Sequence, residues 1–249
     1  MQILNALIHS LRDLFKPRML LVLLLPPIVA LTLWVSLSFL LWPAYSMMAQ
    51  EWGTQLLGSR EMPMWLTSWF SENNSSLAVF LAGFLGLMLV VPLIFLTSQL
   101  IASVFAMPMA VIQIHRSFPD VQMRGRAIIR NSLGNLIITG VVYLALWLLS
   151  LPLWMTGLGF AIPLFLNGYL NYRLFAYEAL VGIATPIELK KLMKKNRLDF
   201  LILGLVTASL VLIPPLFLIL PIYTALCFTR YSFMLIQERR RFTDRVTSN

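Results

Sequence analysis

The stretch that decides the fold is FLILGLVTASLVLIPPLFLILPIYTALCFT, which runs from Phe200 to Thr229 and contains no charged side chain. Ile213, Pro214 and Pro215 interrupt it, and each arm of about 14 residues would form a helix of roughly 21 Å. A bilayer core is roughly 30 Å thick and needs about 20 helical residues to cross. The two arms are therefore predicted to enter the bilayer, turn at the prolines and leave on the same side.

Basic residues flank this stretch at both ends, and they are Lys190, Lys191, Lys194, Lys195 and Arg197 before it and Arg230, Arg239, Arg240 and Arg241 after it. The positive-inside rule places both flanks in the cytoplasm. A broken helix at membrane depth is tolerated only where its backbone is buried in protein or lines a watery cavity. The pattern therefore favours a permeation pathway over a simple membrane anchor.

The composition is that of an integral membrane protein. Of the 249 residues, 59% are hydrophobic and 12% are charged, and the mean hydropathy is +0.82. The net charge of +9 could indicate a nucleic-acid partner. We interpret it instead as membrane topology, because only Arg60 among the basic residues falls in a segment predicted to lie outside. The expected partner is the lipid bilayer, with no nucleic acid. The single cysteine, Cys227, excludes a disulfide framework within one chain.

The chain is predicted to form a single all-α membrane domain, residues 1–249, with both termini in the cytoplasm. Two long transmembrane helices and two helical hairpins broken by proline and glycine make up this fold. The predicted segments are an amphipathic N-terminal helix (1–18), a first span (19–42), an outer loop (43–76), a second long span (77–114), a basic cytoplasmic segment (115–130), a first hairpin (131–178), a basic cytoplasmic helix (186–199), a second hairpin (200–233) and a basic tail (234–249).

The depth of the hairpins is open at this stage. The arms of the first hairpin, about 17 residues each, are borderline for crossing a bilayer, and those of the second are shorter still. Arm length therefore favours partial penetration. A full crossing by both arms of a hairpin would give the same charge pattern. Within the first span, Pro26 and Pro27 are expected to bend the helix.

Polar residues in the apolar segments are candidate site residues. Asn167 and Asn171 are four residues apart and share one helix face. They would either line a solute path or hydrogen-bond across the helix bundle, and the second role is the more common one. Arg173 is a candidate for the same path. Its alternative role is that of an interfacial arginine whose charge reaches water.

Two basic residues lie at the start of the first span. Lys16 and Arg18 flank Pro17 there, and a helix N-terminus offers free N–H groups and the positive end of a dipole. Together these features predict an oxyanion site. The alternative is an ordinary positive anchor on the cytoplasmic side.

Catalysis has little support in the sequence. His9 and His115 are the only histidines, and neither stands in a metal-ligand spacing. No P-loop, dinucleotide fingerprint or nucleophile-elbow motif occurs. The chain is therefore predicted not to be an enzyme and to have no catalytic residues, metal or cofactor. Any transport would be passive or coupled to an ion.

The C-terminal third contains, in order, Asn196-Arg197, Gly204, Leu212-Ile213-Pro214-Pro215-Leu216 and Leu220-Pro221. This order resembles the C-terminal signature of CysZ-type sulfate permeases, in which an NR…FG…IPLLN…LP run forms a dipping hairpin. The turn from Leu151 to Pro163 resembles the other hairpin of that family. The stretch from Ala102 to Pro108 resembles the close of its long second helix.

The resemblance implies a permease for a small inorganic anion, sulfate first, in a multi-pass bacterial-type inner membrane. It also implies a homo-oligomer and proton-linked or channel-like uptake. Two family features are absent: the family has an adjacent arginine pair at the first span, where this chain has Lys16 and Arg18, and it has a glycine and a glutamate after the residue matching Pro108. The alternative function is a non-transporting membrane protein that scaffolds a partner or shapes lipid.

Overall fold

A computed structural model describes residues 2–16, 19, 24–58, 74–125, 129–156, 161–213, 216 and 218–247. Every long segment of those residues is helical. No β-strand occurs within those residues. The helices are α1 (Gln2–Leu14), α2 (Leu25–Gly58), α3 (Asn74–His115), α4 (Ile129–Ser150), α5 (Ala161–Val181), α6 (Pro186–Lys195), α7 (Arg197–Ser209) and α8 (Leu220–Thr247), with short 3-10 helices at Leu151–Thr156 and Leu210–Leu212. The all-α prediction is confirmed.

Within the described residues, three segments are long and apolar enough to cross a membrane, namely Leu25–Met47, Met88–His115 and Ser132–Leu153. The sequence predicted two full spans. The third belongs to the first hairpin, whose arms α4 and α5 have 22 and 21 residues rather than about 17. At 1.5 Å per residue each arm is roughly 32 Å long, which matches the bilayer core. The protein is therefore a multi-pass membrane protein, and the first arm of its first hairpin, α4, is long and apolar enough for a full crossing, whereas α5 contains no candidate span.

The first span differs from the prediction at both ends. Helix α2 begins at Leu25, so Pro26 and Pro27 lie in its first turn. Proline is well tolerated there because the first N–H groups have no partner within the helix. Residues 20–23, which precede these prolines in the predicted span, lie outside the described residues, so the expected bend stays a prediction. The helix also continues through Pro43 to Gly58, so the first part of the predicted outer loop, 43–76, is helical.

The basic helix after the first hairpin is shorter than predicted. It begins with a capping box in which the Thr185 hydroxyl accepts from the Glu188 N–H and the Glu188 carboxylate accepts from the Thr185 N–H. It ends at Lys195 rather than at residue 199, because Asn196 leaves helical geometry and caps it. Helix α8, in contrast, continues beyond residue 233 to Thr247, so the predicted basic tail is mostly helical.

The two charged ends of the second hairpin lie next to each other. The Phe200 ring stacks on Phe228, with centroids 6.1 Å apart, and meets Tyr231 edge-on at 5.2 Å. The Tyr231 hydroxyl donates to Asp199 at 2.8 Å. The uncharged stretch therefore starts and ends at the same place, and helix α7, with 13 residues, is roughly 20 Å long. The turn at Pro214 and Pro215 lies outside the described residues.

The chain divides into two compact units. The larger one, the main unit, comprises the described parts of Met1–Ile28 and Leu96–Asn249, and the smaller one comprises those of Val29–Phe95. In the main unit, α5 packs against α4, α7 and α8, and α1 packs against α8. The crossing of α5 and α7 is very close, because a Cβ on Gly204 would lie 2.4 Å from the Gly168 carbonyl oxygen.

Candidate anion-binding site

Helix α1 turns a narrow polar face towards the protein. Its buried residues are Ala6, Ser10, Asp13 and Leu14. The large apolar side chains of its other face are exposed, and these are Leu4, Ile8 and Leu11; Phe15, just after the helix, is exposed as well. Small side chains on the buried face allow close contact with α8, and the exposed apolar face suits lipid. The predicted amphipathic helix is present, and its buried face is the one that carries the acid.

Asp13 binds two cations at once. Its carboxylate receives a hydrogen bond from the guanidinium of Arg230, and its other oxygen lies 2.6 Å from the ammonium nitrogen of Lys16. The Asp13 and Arg230 side chains are 5% and 8% exposed, whereas Lys16 is 44% exposed. One carboxylate thus partly compensates two positive charges, and the group keeps a net charge of about +1.

Arg230 lies in aromatic surroundings and is incompletely hydrogen-bonded. Its guanidinium carbon is 5.9 Å from the centre of the Phe118 ring, which stacks on Phe233 at 5.7 Å. Its Nε is buried and has no hydrogen-bond partner within the described residues. Because a guanidinium carries five N–H donors, Arg230 has donor capacity that Asp13 does not use.

The structure describes only some of the predicted site residues at the start of the first span. Lys16 is placed beside Asp13, as above. Arg18 and Pro17 lie outside the described residues. The role of Arg18 therefore stays a prediction.

The two predicted asparagines of α5 have partners inside the helix bundle. The Tyr143 hydroxyl donates to the Asn167 side-chain oxygen at 3.0 Å, which joins α4 to α5. The Asn171 side-chain nitrogen donates to the Thr207 hydroxyl at 3.2 Å, which joins α5 to α7. Both asparagines are buried. These bonds are typical of polar residues that hold membrane helices together.

One side-chain atom of these two asparagines has no hydrogen-bond partner among the residues that the structure describes. The Asn171 side-chain oxygen is buried and accepts no hydrogen bond within the described residues. The Thr207 hydroxyl donates instead to backbone oxygens of its own helix. Asn171 therefore offers an acceptor, which suits a proton donor or a water rather than an anion.

Arg173 is half-buried and forms no ion pair in the described part of the chain. Its backbone oxygen accepts from the Asn135 side chain at 3.3 Å. Further along α5, Glu178 accepts a hydrogen bond from Ser132 at 3.0 Å. These pairs, with Tyr143 and Asn167, run along α4 and α5 in opposite directions, which shows that the first hairpin is antiparallel.

A second charged cluster lies in the segment predicted to be cytoplasmic. The Arg240 guanidinium donates to the carboxylate of Glu188 at 3.2 Å and to the backbone oxygen of Gln122 at 2.6 Å. Burial by itself would raise the pKa of Glu188, but hydrogen bonds from Arg240 and from the Thr185 N–H outweigh it and lower that pKa to about 2. Since Glu188 and Arg240 satisfy each other, this cluster is structural.

The smaller unit contains a groove of about 780 Å³ between its two helices. It is lined by apolar and aromatic side chains, among them Trp34, Phe39, Trp42 and Tyr45. The hydroxyl of its one serine, Ser38, donates to the backbone oxygen of Trp34. The groove has no charged lining residue, so it does not suit an inorganic anion.

Sequence reasoning missed the pairing of Asp13 with Arg230. In the sequence, Asp13 is one polar residue of the predicted amphipathic helix 1–18, and Arg230 is one of the basic residues after the second hairpin. A signal was present, because Ala6, Ser10 and Asp13 recur at intervals of four and three residues and so form one narrow stripe. Nothing in the sequence shows that this stripe packs on residues more than 200 positions away.

Comparison with known proteins adds the family. No curated protein and no solved structure matches the chain. A family model described as "Sulfate transporter CysZ/Etoposide-induced protein 2.4" matches residues 6–221, which include most of α1, all of α2 to α7 and the start of α8. With its all-helical fold and its match over most of its length, the chain belongs to the Sulfate transporter CysZ/Etoposide-induced protein 2.4 family.

Proposed function

We propose that this protein is a permease for a small inorganic anion, with sulfate as its first substrate, in an inner or plasma membrane. The observation that carries the proposal is the buried Arg230, which shares the Asp13 carboxylate with Lys16, in a family whose description names a sulfate transporter. A buried charge is costly unless it is paired, so a buried arginine with unused N–H donors indicates a binding site. Transport is passive or ion-coupled, since the sequence has no P-loop.

The geometry supports different roles for the candidate residues. Lys16, with Arg18 predicted beside it, supplies positive charge for the anion. Asn167 and Asn171 hold α4, α5 and α7 together, because their hydrogen bonds are made within the bundle. Arg173 remains the candidate for a second charge along the path. A homo-oligomer and proton coupling stay predictions from the family resemblance.

The test is uptake of labelled sulfate into proteoliposomes that contain the purified protein. We expect saturable uptake that excess unlabelled sulfate blocks, with molybdate competing better than chloride because it is also a tetrahedral dianion. Lys16→Ala should lower uptake at subsaturating sulfate by about tenfold, since a charge pair in a partly buried site is worth more than about 1 kcal/mol.

The matched control is Lys190→Ala, which removes the same charge from an exposed position on α6. It should leave uptake unchanged. Absence of uptake from protein that is folded and monodisperse would overturn the proposal. The scaffold or lipid-shaping alternative would then be favoured.

A further inference from the structure

The carboxylate of Asp13 lies where an oxyanion would have to lie in order to meet both described cations. Lys16 contacts one oxygen of Asp13 and Arg230 contacts the other. A carboxylate and a sulfate present similar pairs of oxygens to such donors. The arrangement is thus that of an anion site whose anion is supplied by the protein itself.

The hydrogen bonding of Arg230 points in the same direction. A guanidinium binds carboxylate or sulfate best through two parallel N–H donors, and Nε is one of the donors suited to this. Asp13 engages a terminal nitrogen of Arg230, whereas the buried Nε has no partner within the described residues. A tetrahedral oxyanion could occupy both donors, which the Asp13 carboxylate at its present position does not do.

The simpler role for the Asp13–Arg230 ion pair is to hold α1 against α8. Two observations argue that this is not its only role. A tether needs one cation, and here Asp13 has two. A buried ion pair is also weak evidence for stability, because the cost of removing both charges from water offsets their attraction. The second cation, Lys16, is 44% exposed and gives the pair a side open to the surroundings.

We infer that Arg230 is an anion-binding residue, and that Asp13 is an internal competitor whose carboxylate an incoming tetrahedral oxyanion displaces from Arg230 and Lys16. The inference rests on the proposed function for the identity of the anion. It goes beyond that function by adding Arg230, which comes from the second hairpin, and by giving Asp13 an inhibitory role. The oxyanion could be free sulfate or the phosphate of an anionic lipid, which share this chemistry.

The experiment is equilibrium binding of labelled sulfate to the purified full-length protein in neutral detergent, compared between the native chain and Asp13→Asn. Removing the competing carboxylate should tighten sulfate binding by about tenfold or more, since it removes a like charge next to the anion. Asp120→Asn makes the same change in charge at an exposed position and should leave affinity within about twofold. Unchanged or weaker binding in Asp13→Asn would overturn the inference.

Loss of folding must be separated from loss of binding, because a lone charge left by Arg230→Gln is buried and costly. The double variant Asp13→Asn/Arg230→Gln leaves no unpaired charge from this pair. It should unfold thermally within a few degrees of the native chain, yet bind sulfate at least about tenfold more weakly than Asp13→Asn alone. Full affinity in the folded double variant would exclude Arg230 as a ligand of the anion.

Two further arms identify the anion and separate this inference from the proposed function. If phosphatidylglycerol competes with sulfate in Asp13→Asn and phosphatidylcholine does not, the site takes a lipid phosphate; if neither competes, it takes the free anion. Sulfate binding that tightens in Asp13→Asn without any uptake in proteoliposomes would support the site and overturn the permease. Sulfate uptake by the native chain, together with sulfate binding that does not change in Asp13→Asn, would support the permease and overturn the site.

Discussion

The crossing of α5 and α7 leaves no space for a side chain at Gly204, and alanine at this position should destabilise the protein. The added Cβ would lie 2.4 Å from the Gly168 carbonyl oxygen, whereas ordinary contacts begin near 3.4 Å. The two helix backbones would have to separate by about 1 Å, because the atoms nearest to the added Cβ are backbone atoms of Gly168 and Tyr172 rather than a flexible side chain. Overpacking of this kind costs about 1–3 kcal/mol. For a chain of this size that corresponds to a fall of roughly 2–12 °C in melting temperature.

The assay is thermal unfolding of the purified protein in mild detergent, followed by loss of the monodisperse peak. Gly134→Ala provides the matched control, because it makes the same substitution in α4 where no atom lies within 4 Å. That variant should be unchanged or more stable by up to about 1 kcal/mol, since alanine favours a helix over glycine. A Gly204→Ala protein as stable as the native chain would refute the close crossing of α5 and α7.

Two further predictions concern hydrogen bonds elsewhere in the main unit. Because the folded-state pKa of Glu188 is about 2, its pairing with Arg240 should stabilise the protein fully above about pH 4.5 and less as the pH falls towards 2. The melting temperature of the native chain should therefore exceed that of Glu188→Gln at pH 7. A difference in melting temperature that does not shrink by pH 3 would contradict this. A double-mutant cycle with Tyr143→Phe and Asn167→Ala should give a coupling of about 0.6 kcal/mol, and at most about 1.7 kcal/mol, in thermal unfolding. Strictly additive effects would show that the hydrogen bond between α4 and α5 does not stabilise the fold.

Most of the fold was predictable because the membrane imposes strong rules on sequence. Charge-free stretches of known length between basic flanks identified the long helices and the hairpins. The errors lie at boundaries. Pro43 does not end α2, because a proline within a transmembrane helix is tolerated, and α2 begins at Leu25, so Pro26 and Pro27 lie in its first turn.

The candidate site was only partly predictable. Lys16 was identified from its place before the first span, and Asn167 and Asn171 from their polarity within an apolar helix. Whether a buried amide lines a path or joins two helices depends on what lies opposite it, and the partners of these amides, Tyr143 and Thr207, come from other helices. The sequence favours the joining role only because it is the more common one, and the structure adds the partner of each amide.

The amino-acid sequence by itself determined that this is a membrane protein of helices and hairpins, because burying a backbone in lipid requires helical hydrogen bonds and long apolar runs. It also determined the family resemblance, through the order of Gly204 and the prolines that follow it. Only the tertiary structure decided that Asp13 meets Arg230 across more than 200 residues. The physical reason is that an ion pair is a property of two surfaces brought together by packing, and the local pattern of either helix carries no information about the other.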